Sequence, residues 1–160
     1  MKKVMSVLLI GLLSACASQT AQPTAEFTPA ARAETNPNLN PILTDPNNIL
    51  SKRSVYFDYD SFVVKNEYRA TVQAHAQYLR DNAAAKVLLQ GNADERGSRE
   101  YNLALGQKRA DSVRSAMTLS GAKDSQIEAV SLGEEKPRAT GHDEASWAEN
   151  RRTDIRYQGE

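Results

Sequence analysis

The sequence predicts an α/β fold: one domain of four strands with packed helices, preceded by a leader and a flexible tether. Three observations predict it. From residue 52 onward, short segments of alternating apolar residues are interleaved with longer ones whose apolar spacing is helical. Residues 17–50 hold five of the six prolines and no glycine, with apolar residues scattered without period. Ahead of them, Met1-Lys2-Lys3 leads into an apolar run from Val4 to Leu13.

That run is too short to cross a hydrocarbon core of ~30 Å as a helix, and it suits the apolar region of a secretory leader. Leu13-Ser14-Ala15-Cys16 follows. Small residues before a cysteine at this place resemble the lipobox of bacterial lipoproteins. The resemblance implies cleavage after residue 15, acylation of Cys16 and anchoring in membrane lipid. Ala17 stands where an aspartate commonly signals inner-membrane retention, which points to the outer membrane. An ordinary secreted protein with a free thiol is the alternative. Residues 16–51 then read as the lipidated cysteine and a flexible linker, with order expected to begin between 40 and 52.

Residues 52–160 are long enough for one core. Val55, Phe57 and Tyr59 alternate with Tyr56 and Asp58 as a half-buried strand. Asn66 is the expected cap of a helix reaching Asp81, whose apolar face carries Tyr68, Val72, His75 and Leu79. Lys86 to Gly91 is a second strand. Ser98 is placed to cap a helix from Arg99 to Leu119 that Gly121 stops. Leu103, Gly106, Ala110, Val113 and Met117 form its expected core stripe. Ile127 to Leu132 is a third strand, Asp143 to Glu149 a short helix, and Thr153 to Tyr157 a fourth strand. The alternation implies helices on one or both faces of a sheet.

Composition removes several function classes. The chain has 160 residues, 20 basic and 20 acidic, so no strongly basic footprint marks a nucleic-acid binder. One cysteine and two histidines build neither a disulfide nor a Cys/His zinc cluster. No cofactor is expected. His75, on an apolar helix face, reads as a hydrogen-bonded packing residue, and His142 as a turn residue. The densest polar feature is Gly91-Asn92-Ala93-Asp94-Glu95-Arg96-Gly97-Ser98, between a strand end and a helix start. It suits a binding loop on a rigid frame or, equally, a solvated connector. Asp94 and Glu95 are poor partners for glycoside cleavage, since adjacent loop residues seldom flank one bond from opposite sides.

Residues 91–110 read GNADERGSREYNLALGQKRA. This stretch resembles the signature of OmpA-like peptidoglycan-binding domains: D-x-x-G, then N-x-x-L, then R-A. VYFDYD at 55–60, AHAQYL at 74–79, LGEEKP at 132–137, GHDEA at 141–145 and NRR at 150–152 extend the likeness across the domain. The resemblance implies a mixed four-stranded sheet and a noncatalytic role. Its implied ligand is peptidoglycan, held noncovalently through meso-diaminopimelate of the stem peptide. The free end of that residue carries an ammonium and a carboxylate on one carbon. By the same resemblance Asp94 accepts from the ammonium and Arg109 grips the carboxylate, with Tyr59, Asp60, Arg96, Ser98 and Leu105 around them. An internal Asp94–Arg109 salt bridge is the alternative reading of that pair. Asn102 shares a helix face with Leu105 and Arg109, and Asn150 and Arg151 are expected to act structurally. Residues 61–64, Ser-Phe-Val-Val, lack the polar residue often found there in the family. The lipoprotein members imply further partners, TolB and other Tol components, and a place on the periplasmic side of a Gram-negative outer membrane. A wall-processing enzyme and a lipoprotein acting only through protein contacts are the competing functions.

Overall fold

The computed structural model describes residues 41–159. The leader expected at 1–15, Cys16 and the tether up to residue 40 lie outside the described residues. Short 3-10 helices at Pro41–Leu43 and Ile49–Ser51 bury Leu43 and Leu50 in the core. Arg53 Nη2 donates to the Leu43 carbonyl at 2.7 Å, closing this segment onto the domain.

Four strands and three helices follow: β1 Ser54–Tyr56, α1 Arg69–Asp81, β2 Val87–Asn92, α2 Arg99–Leu119, β3 Ile127–Gly133, α3 Glu144–Asn150 and β4 Arg152–Tyr157. The sheet order is β1-β4-β2-β3. β4 lies antiparallel to both β1 and β2, whereas β2 and β3 are parallel, so the sheet is mixed. A parallel pair needs a crossover, and α2 supplies it.

The register aligns rows of residues across the sheet. Ile127, Val87 and Tyr157 form one row, and Ala129, Leu89 and Ile155 the next. Ser131, Gly91, Thr153 and Val55 form the third. Most of these side chains are buried beneath α1 and α2, whereas Leu88, Gln90, Asp154 and Arg156 on the opposite face are not. One apolar face and one polar face is the expected outcome for strands of period 2. Helices therefore cover one face of the sheet.

α2 lies unusually close to β2, because Gly106 and Gly91 meet there without side chains; a Cβ on either would collide with the other's backbone. Gln126 closes the far end of the molecule. Its buried amide donates to the carbonyls of Leu79, Asn82 and Ala85, at the end of α1 and in the turn after it.

Three expected details differ. Leu103 is 51% exposed and stands outside the core, while Leu105 is buried in its place. Both lie toward the edges of the helix's buried face, which Gly106, Ala110, Val113 and Met117 occupy as expected, so helical spacing alone does not separate them. Asn66 does not cap α1: Asn66–Tyr68 form a 3-10 turn entered from Lys65, without a side-chain cap. β1 ends at Tyr56, so Tyr59 escapes the strand alternation and is 61% exposed. His75 is buried as a packing residue, its ring nitrogens bonded to the Tyr157 hydroxyl at 2.9 Å and the Lys52 carbonyl at 3.0 Å.

Candidate functional site

Two loops meet where β1 and β2 end. The first, Phe57 to Ser61, is a tight turn closed by the Ser61 N–H on the Asp58 carbonyl. Asp60 occupies the left-handed region with φ of 51°, which aspartate tolerates better than most residues. Its carboxylate accepts from the Tyr101 hydroxyl on α2. The second loop, Ala93 to Ser98, joins β2 to α2. Gly97 has φ of 114°, and Ser98 caps the helix by accepting from the Tyr101 N–H at 3.2 Å.

Asp94 lies at the floor of this loop and is 5% exposed. Arg96 spans its carboxylate with two side-chain bonds, Nε to Oδ1 at 3.2 Å and Nη2 to Oδ2 at 2.8 Å. The Arg96 N–H adds a third at 3.0 Å, and Arg151 approaches from beneath at 3.5 Å. Burial alone would raise the pKa of Asp94. The bonds and charge of Arg96, with Arg151, outweigh burial and hold it below its usual value.

Arg109, from the middle of α2, is 0% exposed. It does not bond Asp94. Its Nε donates to the Ser61 carbonyl at 2.8 Å, Nη1 to Asn92 at 2.8 Å and Nη2 to Asp58 at 3.2 Å. The guanidinium thus pins the first loop and the end of β2 to the helix. Burial lowers its pKa to about 10, partly offset by the nearby charge of Asp94, so it remains a cation at neutral pH. The internal Asp94–Arg109 salt bridge that the sequence left open is absent among the described residues. What forms is a buried anion and a buried cation with separate partners.

The other expected residues divide in two. Tyr59, Asp60, Arg96 and Ser98 belong to the two loops, and the Arg96 guanidinium stacks over the Tyr59 ring at 4.2 Å. Leu105 is buried on α2, one turn before Arg109. Asn102 is buried and reaches the Glu134 carboxylate beyond β3, which ties α2 to that loop. Asn150 accepts from the N–H groups of Arg138 and Ala139 and donates to the Ala139 carbonyl. Arg151 bonds the Phe57 carbonyl and Glu144 besides Asp94, so it is a structural brace that also holds the site's anion.

Sequence reasoning missed the wall formed by α3. The Arg96 guanidinium also lies over the Trp147 ring, at 4.1 Å, and Trp147 donates its indole N–H to Glu95 at 2.8 Å. His142 is more than a turn residue, since its Nδ1 lies 2.7 Å from Glu95. Glu144 stands 3.6 Å from Arg96. The chain's one tryptophan, in a charged helix of seven residues, was the available signal.

The OmpA family model matches residues 56–151, which contain every residue of this site. The chain belongs to the OmpA family. Among curated OmpA-family relatives, the peptidoglycan-associated lipoprotein of Haemophilus influenzae is 48% identical over 104 residues, 65% of this chain and 68% of the relative. That of Pasteurella multocida is 46% identical over 104 residues, covering 65% and 69%. The crystal structure of the peptidoglycan-associated lipoprotein from Burkholderia pseudomallei superposes with a TM-score of 0.72 at 62% identity, covering 73% of this chain and 99% of that one. The C-terminal domain of Helicobacter pylori MotB, 17% identical with a TM-score of 0.60, shares the OmpA-family fold.

Proposed function

We propose that this chain is a noncatalytic, lipid-anchored clamp. Its domain holds peptidoglycan through meso-diaminopimelate of the stem peptide, and an acylated Cys16 ties it to the outer membrane. Membership of the OmpA family and the likeness to lipoproteins named for peptidoglycan association support the wall as ligand. The observation that carries the chemistry is the buried Asp94 beside the buried Arg109. A ligand atom bearing both an ammonium and a carboxylate needs one anion and one cation a few ångströms apart. Asp94 accepts from the ammonium. Arg109 spends three of its N–H groups on backbone carbonyls, and a guanidinium has five, so two remain for the carboxylate. The backbone at Tyr59 and Asp60, with Arg96, Ser98 and Leu105, borders the ligand.

A wall-cleaving enzyme fits less well. A glycosidase acid needs a raised pKa. Asp94 and Glu95 are both lowered, Asp94 against its burial by the two arginines and Glu95 by Trp147 and His142. On this reading TolB and other Tol components are further partners, whose surface overlaps the wall-binding loops. Excess stem peptide then lowers TolB affinity.

Cosedimentation with isolated walls tests the clamp, using the full chain in detergent. It pellets with diaminopimelate-type walls and stays in solution with lysine-type walls. Asp94→Asn abolishes pelleting without unfolding the chain. Equal binding to both walls, or to neither, would overturn the assignment.

A further inference from the structure

Arg96 is held more thoroughly than a loop arginine usually is. Its guanidinium packs on two aromatic rings, Tyr59 at 4.2 Å and Trp147 at 4.1 Å. There it covers both oxygens of Asp94. A second carboxylate, Glu144, stands 3.6 Å from Nη1. Glu144 is 65% exposed at its side chain; Arg151 holds its Oε1 at 2.6 Å, and its Oε2 faces Arg96 and is open to a shifted cation, while Asp94 is fixed in the floor.

We propose that Arg96 is a built-in competitor for the site's anion. The ligand's ammonium displaces it from Asp94, and the guanidinium slides along Trp147 to pair with Glu144. This inference rests on the diaminopimelate reading of Asp94 and adds a selectivity step to it. A carboxylate in a buried floor is costly to leave unpaired. Arg96 keeps Asp94 paired until the ammonium arrives, so the exchange swaps one cation for another and leaves no bare charge. It also ranks ligands. A free sodium or potassium ion or a neutral amide cannot match a stacked, bidentate guanidinium. An ammonium whose neighbouring carboxylate is taken by Arg109 can. Arg151 stays on Asp94 throughout and keeps its oxygens aimed.

Titration calorimetry with the tripeptide L-Ala-γ-D-Glu-meso-diaminopimelate tests the exchange on the full chain. Arg96→Met keeps an apolar stem on the rings but removes the rival charge. It binds up to about fivefold tighter than the unmodified chain, the size set by one partly exposed ion pair. Arg96→Lys restores a competing cation and returns affinity toward the original. Trp147, the chain's one tryptophan, gives a second readout that needs no substitution. Its emission changes when the tripeptide binds, because the cation on its face moves. If the unmodified chain binds but Arg96→Met is equal or weaker, the competitor role is wrong and the Asp94 reading survives. Binding without any change in Trp147 emission also overturns the exchange. If neither the unmodified chain nor Arg96→Met binds, the diaminopimelate reading itself fails and this inference falls with it.

Discussion

Gly91 on β2 and Gly106 on α2 touch backbone to backbone, so that a methyl group on Gly91 would overlap the Gly106 carbonyl oxygen. This contact sets the height of α2 above the sheet, and with it the depth at which Arg109 reaches the first loop and the end of β2. Gly91→Ala therefore lifts α2. Neither partner is a flexible side chain that can yield, so the loss of stability is about 3 kcal/mol, the upper end for overpacking. Urea unfolding measures it, and a loss below about 1 kcal/mol would mean that the helix moves freely.

His75 makes the fold sensitive to acid. Burial lowers its pKa to about 4, the Arg53 charge acts in the same direction, and the Lys52 carbonyl partly opposes them. The unfolded chain takes up the proton near 6.5. The native state is thus at full advantage above pH 6.5 and loses it as pH falls toward 4, by at most about 3 kcal/mol. Unfolding midpoints at pH 7 and pH 4.5 should converge in His75→Gln. An equal acid loss in that variant would assign the effect elsewhere.

Arg109→Lys separates support from recognition. A single ammonium cannot brace the carbonyls of Asp58, Ser61 and Asn92 together. The variant loses about 2 kcal/mol of stability, the cost of unmet buried acceptors, in addition to losing wall binding. Asp94→Asn keeps the shape of the floor and loses binding with little change in melting temperature. The two variants differ in thermal melts even if both fail to pellet.

The Glu95–His142 pair titrates above the usual histidine range, because Glu95 bonds and attracts the protonated ring. Its contribution is present below pH 6.5 and disappears as pH rises through the raised value. Proton NMR of His142 should show a midpoint above that of a free histidine, returning to the ordinary value in Glu95→Gln. An unshifted midpoint in the parent chain would show that the pair does not persist in solution.

The sequence carried the frame because local chemistry decided it. Val87 and Leu89 alternate with Leu88 and Gln90, and Ser98 stands where a cap belongs, so β2 and the start of α2 could be read directly. Leu103 was misread as core because it lies at the edge of the buried face of α2, where helical spacing does not decide burial. Tyr59 continued an alternation that the backbone abandons at Tyr56. At the site, residue types were legible and pairings were not. Asp94 bonds the nearby Arg96 and the distant Arg151, while Arg109 turns to carbonyls, which have no signature in a sequence. The stack of Arg96 on Trp147 joins residues 51 positions apart, and only the folded chain brings them together.

If the chain is the lipid-anchored clamp proposed above, the place where it enters the domain has a mechanical meaning. Leu43 and Leu50 are seated in the core, and Arg53 and His75 hold the Leu43 and Lys52 carbonyls at one end of β1. The loop from Phe57 to Ser61 leaves its other end. Tension arriving through residues ahead of Pro41, resisted by a load held at that loop, would stretch β1 along its own axis. Its pairs with β4, Ser54 to Asp154 through Tyr56 to Arg152, lie across that axis and would be strained together in shear. Pulled the other way, from one end outward, they would unzip one at a time.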